Sequence, residues 1–255
     1  MKTSNKLLLS GALFVVLLFL VCNLYARKFI VKKDTNYLIG KGVKGQTILL
    51  ENYDTDTLYL RHYNEYKLDP NSTSVMVEGD KEVLPAFGVK MYRGLYPYFN
   101  HDYISDHELP ITYTIGVKGK SNLVIIAKDK ASVWSSEKLN IENLTINANN
   151  NSSFIIDNDG ENLIVVSKNG STLDFDGSYK TGKFEVEYTG FIDAMKIEFE
   201  NLDITLSERS SLRVKNAKYI VGELEDYSVF STVDECDISS LKFYDKSKHK
   251  IESWD

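Results

Sequence analysis

The chain has 255 residues, enough for one large or two small domains. Charged residues make up 26% and hydrophobic residues 43%, both ordinary for a globular protein. The net charge of −6 at pH 7, without a basic helix or an RNA-binding signature, argues against a nucleic-acid partner.

The first feature along the chain is Leu7 to Leu24, eighteen residues without a charge. Lys2 and Lys6 precede it, and Arg27, Lys28, Lys32 and Lys33 follow. The run fits a single membrane-spanning anchor or a cleaved signal peptide. Its length favours the anchor, since signal h-regions run about 7–15 residues. Leu24-Tyr25-Ala26 is a poor cleavage site because Leu is not small. Leu20-Val21 before Cys22 lacks the small residue that precedes a lipid-modified cysteine. The segment with its basic flank, 1–33, is therefore set apart from the rest, and the expected architecture includes an N-terminal transmembrane helix.

Residues 34–119 read as an irregular β region. Strands are expected at Thr47 to Leu50, Thr57 to Leu60 and Ser74 to Val77, with turns at Asn52 to Asp56 and Asp69 to Ser72. These are either the first rungs of the repeat that follows or a cap over its end. Pro85 to Pro110 reads as a long irregular loop rich in aromatic residues. Such loops are usually functional or mobile. It supplies the candidate ligand-binding residues Tyr92, Tyr96, Tyr98, Phe99, His101 and Tyr103, whose rings would stack on a sugar or pack into a partner. The competing expectation is that the same rings bury themselves against the solenoid.

Residues 120–255 repeat a short phrase of apolar, polar, apolar, then turn. Leu123, Leu144, Leu163, Phe184 and Leu202 open successive phrases, 21, 19, 21 and 18 apart, and Leu241 opens a later one. Val133, Phe154, Leu173, Ile192 and Leu212 form a second series, spaced 21, 19, 19 and 20. Two short strands per period of about twenty residues predict an all-β fold, a parallel β-helix or solenoid with one period per rung. An antiparallel sandwich also gives short strands and frequent turns, but not the twenty-residue return. Within each phrase, alternate residues face one way, so Leu202 and Ile204 are expected inside and Asp203 outside.

Few groups suggest chemistry. Asp157-Asn158-Asp159 and Asp174-Phe175-Asp176 lie 17 apart, near one rung, and suggest an acidic ladder, a Ca²⁺ site or paired catalytic carboxylates. Turn-forming aspartates explain them better, so no catalytic residue and no metal ligand is assigned. His101 and His107 match no standard zinc spacing. No cofactor motif is present: there is no phosphate-binding Gly-rich loop and no CxxC. Cys236 has three acidic neighbours, which raise a thiol pKa, and it reads as inert.

The N-terminal hydrophobic segment, Gly116-Val117-Lys118-Gly119 leading into Leu123-Val124-Ile125, and Asn169-Gly170-Ser171-Thr172-Leu173-Asp174-Phe175 together resemble the GIN-domain family of bacterial auto-transporter adhesins. The likeness covers about half of the chain, mainly its C-terminal part. It implies a parallel β-helix in the cell envelope and carries no catalytic residues. This chain departs from the family pattern where Gly190 precedes Phe191 and where Ser210-Ser211 has no Gly. The basic residues after Leu24 outnumber those before Leu7, which would leave the large domain in the cytoplasm. Long domains translocate largely regardless of charge, and the resemblance implies the outside. The expected function is non-enzymatic, adhesin-like binding by a membrane-anchored protein whose partners are the membrane, through Leu7 to Leu24, and a glycan or envelope protein. The alternatives are a polysaccharide-active enzyme on the same scaffold and a structural accessory of an envelope complex.

Overall fold

The computed structural model describes residues 37–38, 41–43, 46–61, 64–79, 87–91, 93–99 and 111–251. The chain divides into two units, Met1–Leu38 and Ile39–Asp255. In the first, the described residues are the short strand Tyr37–Leu38. Leu7 to Leu24 lies outside the described residues, among which no helix is long and apolar enough to cross a membrane.

The second unit is all-β among its described residues and winds as a solenoid. One side, here side A, stacks Thr57–Leu60, Asn122–Ala127, Asn143–Ala148, Asn162–Ser167, Thr181–Val186, the second half of Phe191–Leu206, the second half of Ser211–Leu224, and Leu241–Phe243 in parallel. Side B stacks Thr112–Gly116, Glu65–Asp69, Ser132–Ser135, Ser153–Asp159, Thr172–Ser178, the first halves of the two long strands, Val229–Thr232 and Lys248–Ile251 in parallel. The return path from side B to the next side A strand makes a third side, side C. It includes the bridge Leu139↔Asn158 and the pairs Glu198↔Asn216 and Phe199↔Ala217.

Alternation does what the phrases predict. Asn143–Ala148 and Asn162–Ser167 bury every second residue, and the buried Leu, Ile, Val and Phe of successive rungs form one continuous core. The second predicted series holds in full: Val133, Phe154, Leu173, Ile192 and Leu212 are register partners in turn, and Phe230 continues them. The first series needs two corrections: Leu241 pairs with Gly222, in line with Ile204 rather than Leu202, and Phe184 is displaced in the same way. Leu163 pairs with Gly182, not Phe184, and Gly182 pairs with Leu202. Phe184 instead follows Val165. The reason is packing: a side chain at 182 would meet the Phe184 and Phe199 rings, its Cβ 2.7 Å and 2.8 Å from them. Two large rings fill the place of one aliphatic side chain, and the apolar phrase moves two residues along the strand.

The corner from side A to side B is constant. From Leu123 to Val133, Leu144 to Phe154, Leu163 to Leu173, Gly182 to Ile192, Leu202 to Leu212 and Ile220 to Phe230, the count is ten residues each time. Its tip always has two residues at positive φ: Asp129-Lys130, Asn150-Asn151, Asn169-Gly170, Tyr188-Thr189, Glu208-Arg209, Asp226-Tyr227 and Asp245-Lys246. Asn, Asp and Gly accept this conformation readily; Thr189 is a costlier, β-branched occupant. Just inside the tip runs a column of small residues, including the buried Ser152, Ser171, Ser210 and Ser228, with Ser152 and Ser171 hydroxyls 3.2 Å apart. The return leg varies. From Val133 to Leu144, Phe154 to Leu163, Leu173 to Gly182, Ile192 to Leu202 and Leu212 to Ile220 it takes 11, 9, 9, 10 and 8 residues.

The region before residue 120 joins the stack in part and leaves its parallel pattern in part. Thr57–Leu60 and Glu65–Asp69 join the stack as a rung. Beyond Thr112–Gly116, side B continues into antiparallel strands, Val75–Glu78 and then Gln46–Leu50. Beyond Thr57–Leu60, side A continues through Leu95–Phe99, which pairs antiparallel with Phe87–Met91. The segment expected as an irregular loop therefore contains a β-hairpin. The hairpin reverses at 93–94, with Arg93 at φ 52° and Gly94 at φ 159°.

Candidate functional site

Of the residues predicted for binding, the structure describes Tyr96, Tyr98 and Phe99, all on the strand Leu95–Phe99. Tyr92, His101 and Tyr103 lie outside the described residues, as does His107. Tyr98 and Phe99 belong to the strand Leu95–Phe99, with only their backbone described. Tyr96 stacks on Tyr59 of the neighbouring strand, ring centroids 4.1 Å apart and planes 5° from parallel. Tyr59 also covers Gly94, where an added Cβ would come within 2.5 Å of the ring. This pair is half-buried packing on side A, in line with the competing expectation for Tyr96.

The aspartates of side B are register partners, although not at the predicted spacing. Asp157 pairs with Asp176, nineteen residues on, while Asp174 pairs with Ile155. Lysines neutralise the row: Lys138 lies 3.7 Å from Asp157 and 3.3 Å from Asp159, and Lys196 lies 2.6 Å from Asp176. The Ser178 hydroxyl donates to Asp159 at 2.8 Å and is the first cause of that carboxyl lying below its ordinary value. The Lys196 hydrogen bond does the same for Asp176. Among the described residues no group of three or more His, Cys, Asp or Glu could hold a metal ion. Carboxylates committed to lysines in this way are ill-placed to act as a catalytic acid and base pair.

A larger concavity lies on side C. It is a groove of ≈ 670 Å³ that passes over five successive corners of the solenoid, from Gly160 through 178–180, 198–200 and 216–218 to 235–237. Tyr179, Phe199 and Ala217 floor it, all buried. The two rings lie 6.5 Å apart with planes 18° from parallel. The Tyr179 hydroxyl sits beside the Asn158 amide without a well-formed hydrogen bond to it, and burial pushes its pKa up. Asn158 is already engaged, accepting from Ile141 N at 2.8 Å and donating to Ile141 O at 3.0 Å.

Charges of both signs rim the groove. One residue per rung forms an alternating row: Glu161, Lys180, Glu200, Lys218 and Asp237, of which all but Glu161 line the groove. Lys180 bonds Glu161 at 2.6 Å, and this bond is the first cause of its raised pKa. Lys218 lies over the Tyr219 ring, 5.2 Å from its centroid. On the opposite edge stand Ser178, Glu198, Asn216 and Glu235. Glu198 is tied to Lys215 at 2.5 Å. The Asn216 side-chain oxygen accepts from Ala217 N at 2.7 Å, which turns its amide nitrogen to other use. Cys236 is half-buried, and its thiol donates to Thr232 Oγ1 at 3.7 Å. Burial, then Asp237, raises its pKa, so the inert cysteine expected from sequence stands, with desolvation as the main cause.

Apart from Cys236 and its acidic neighbours, read as inert, these groove residues did not emerge from the sequence, although a signal exists. Gly160, Tyr179, Phe199, Ala217 and Cys236 form a third series, spaced 19, 20, 18 and 19, directly before the alternating charged row. It is hidden because its members share no residue type and because the return leg changes length.

Residues 66–228 match the sequence profile of a family described as putative auto-transporter adhesin, head GIN domain. Among curated proteins nothing matches the chain. Several solved structures share the fold. A putative lipid binding protein from Parabacteroides distasonis superposes with a TM-score of 0.61 at 11% identity, covering 82% of this chain and 97% of its own. A putative adhesin from Parabacteroides merdae gives 0.61 at 12% identity, covering 82% and 96%. A putative adhesin from Bacteroides fragilis gives 0.58 at 14% identity, covering 83% and 98%. At these identities the likeness concerns the fold alone.

Proposed function

Because the chain belongs to the family of putative auto-transporter adhesins with a head GIN domain, we propose that it is a non-enzymatic binding protein of the cell envelope. Leu7 to Leu24 holds it in the membrane, with 34–119 and 120–255 outside the cytoplasm, where the solenoid meets a glycan or an envelope protein. The observation that carries this reading is the side C groove. It is open, it runs along the stack, and its rim offers hydrogen-bonding groups of both kinds above an apolar floor. That combination suits reversible binding. The aromatic segment with Tyr92, Tyr98, Phe99, His101 and Tyr103 is a second candidate contact beside the Tyr59–Tyr96 stack.

Three experiments test the proposal. Protease added to intact cells stripped of their outer layers should digest the solenoid, and N-terminal sequencing of the membrane-extracted protein should find Leu7 to Leu24 still attached. A mature terminus at Arg27, or full protection from protease, would remove the anchor or the orientation. The immobilised full-length chain should retain envelope material, and substitutions in the groove should abolish that retention. Retention indifferent to every groove substitution would move the binding surface elsewhere.

A further inference from the structure

We propose that the side C groove takes an uncharged oligosaccharide laid along the solenoid axis, an inference that rests on the binding role above and names its ligand class.

Length is the first argument. The groove touches five corners in successive rungs, and neighbouring strands lie about 4.8 Å apart, so it extends for about 19 Å. That exceeds a single small metabolite and matches a short stretch of linear polymer. The groups on its rim recur at the strand spacing, as the recognition of a repeating chain requires.

Charge is the second. Lys180, Glu200, Lys218 and Asp237 alternate in sign along one edge. A polyanion would meet Glu200 and Asp237, and a basic peptide would meet Lys180 and Lys218, so a run of like charges of either sign is repelled at every second rung. A sugar hydroxyl both donates and accepts, so it satisfies a lysine on one rung and a carboxylate on the next. The side-chain carboxylates of Glu200 and Glu235 make no hydrogen bond or ion pair among the described residues, Glu200 acting on Lys180 through its charge alone, which leaves their oxygens for such hydroxyls. The Asn216 amide nitrogen is a donor between them. Tyr179, Phe199 and Ala217 are almost wholly buried and show only a thin apolar strip between the two edges, so the polar rim carries the recognition.

The test uses the full-length chain on an array of neutral, acidic and amino oligosaccharides and on a matching panel of basic and acidic peptides, at low and high salt. A neutral oligosaccharide should be retained, with little change as salt rises. E200A and E235A should each weaken that retention about tenfold, the scale of one hydrogen bond to a charged group. E200Q keeps an acceptor without the charge and should bind within about threefold of the unaltered protein. Thermal melts of all three variants check that the exposed edge tolerates them. Salt-sensitive retention of acidic glycans or of peptides would overturn the proposal. So would E200Q binding as weakly as E200A, or neutral-glycan binding unchanged in both E200A and E235A. A blank array alongside retained envelope material would sink the oligosaccharide and spare the binding role. A blank in both would sink both.

Discussion

Leu202 gives the most direct test of the rung register. It is 1% exposed and stacks between Gly182 and Ile220 on the inner face of side A. Its neighbour Asp203 faces out, 3.7 Å from Lys183 across the strand pair, with both side chains at least half exposed. Truncating a buried leucine to alanine costs about 2–5 kcal/mol, depending on how far the site collapses. Here the Phe184 and Phe199 rings above Gly182 are next in line to move in, which holds the expected loss for Leu202→Ala near 3 kcal/mol. In a unit of this size each kcal/mol shifts the melting temperature by about 2–4 °C, so the expected drop is about 6–12 °C. Asp203→Asn removes one exposed ion pair and should move the melt by less than about 2 °C. Leu202→Asp would bury an unpaired carboxylate and should leave no folded protein. Far-ultraviolet circular dichroism during heating reads all three. Equal shifts for Leu202→Ala and Asp203→Asn would refute the assigned facing and the register with it.

Three further expectations follow from the geometry. Gly177→Ala should cost more than about 2 kcal/mol, because φ is 110° and the new Cβ would lie 2.1 Å from the Asn158 carbonyl oxygen. Gly119→Ala, also at positive φ but facing open space, should cost only about 1 kcal/mol, and parity between the two would argue against the tight corner. Tyr96→Ala should lower the melt by about 1–6 °C through loss of its stack on Tyr59, whereas no change would show that the stack adds nothing to stability. Asp159 and Asp176 titrate below the ordinary aspartate value, so their stabilisation is present above about pH 4 and disappears as pH falls through their folded values. The melting temperature of the double variant Asp159→Asn and Asp176→Asn should therefore fall less steeply with acid than that of the unaltered protein. Parallel curves would show the two carboxyls contribute nothing.

The solenoid was legible where burial and period coincide. Val133, Phe154, Leu173 and Ile192 stand exactly one rung apart in sequence and in space, because each fills the same slot in a shared core. Phe184 misled for the opposite reason: an aromatic ring fills space away from its own backbone position, so the largest apolar residue of a strand need not mark the rung. The hairpin Phe87–Met91 with Leu95–Phe99 was hidden by its composition, since Pro85 and Pro97 suggest a loop. Pro97 is tolerated in its strand because pairing with Thr57–Leu60 is confined to Leu58↔Leu95, which leaves the proline facing Val89 without a partner on its other side. The groove was illegible because it belongs to the return leg, where no residue type repeats and the length varies between eight and eleven residues from rung to rung.

That unequal division between a fixed corner and a variable one bears on how such a chain can change over time. An insertion at the ten-residue corner would displace the paired left-handed residues and push the small inner column out of phase through the whole stack. An insertion on side C stays local, because the next strand re-enters its slot whether the return takes eight residues or eleven. Length variation between descendants of one ancestor is thus channelled to the side that carries the groove. The same property marks side C as the place to graft a foreign loop, with the other two sides serving as an unaltered ruler.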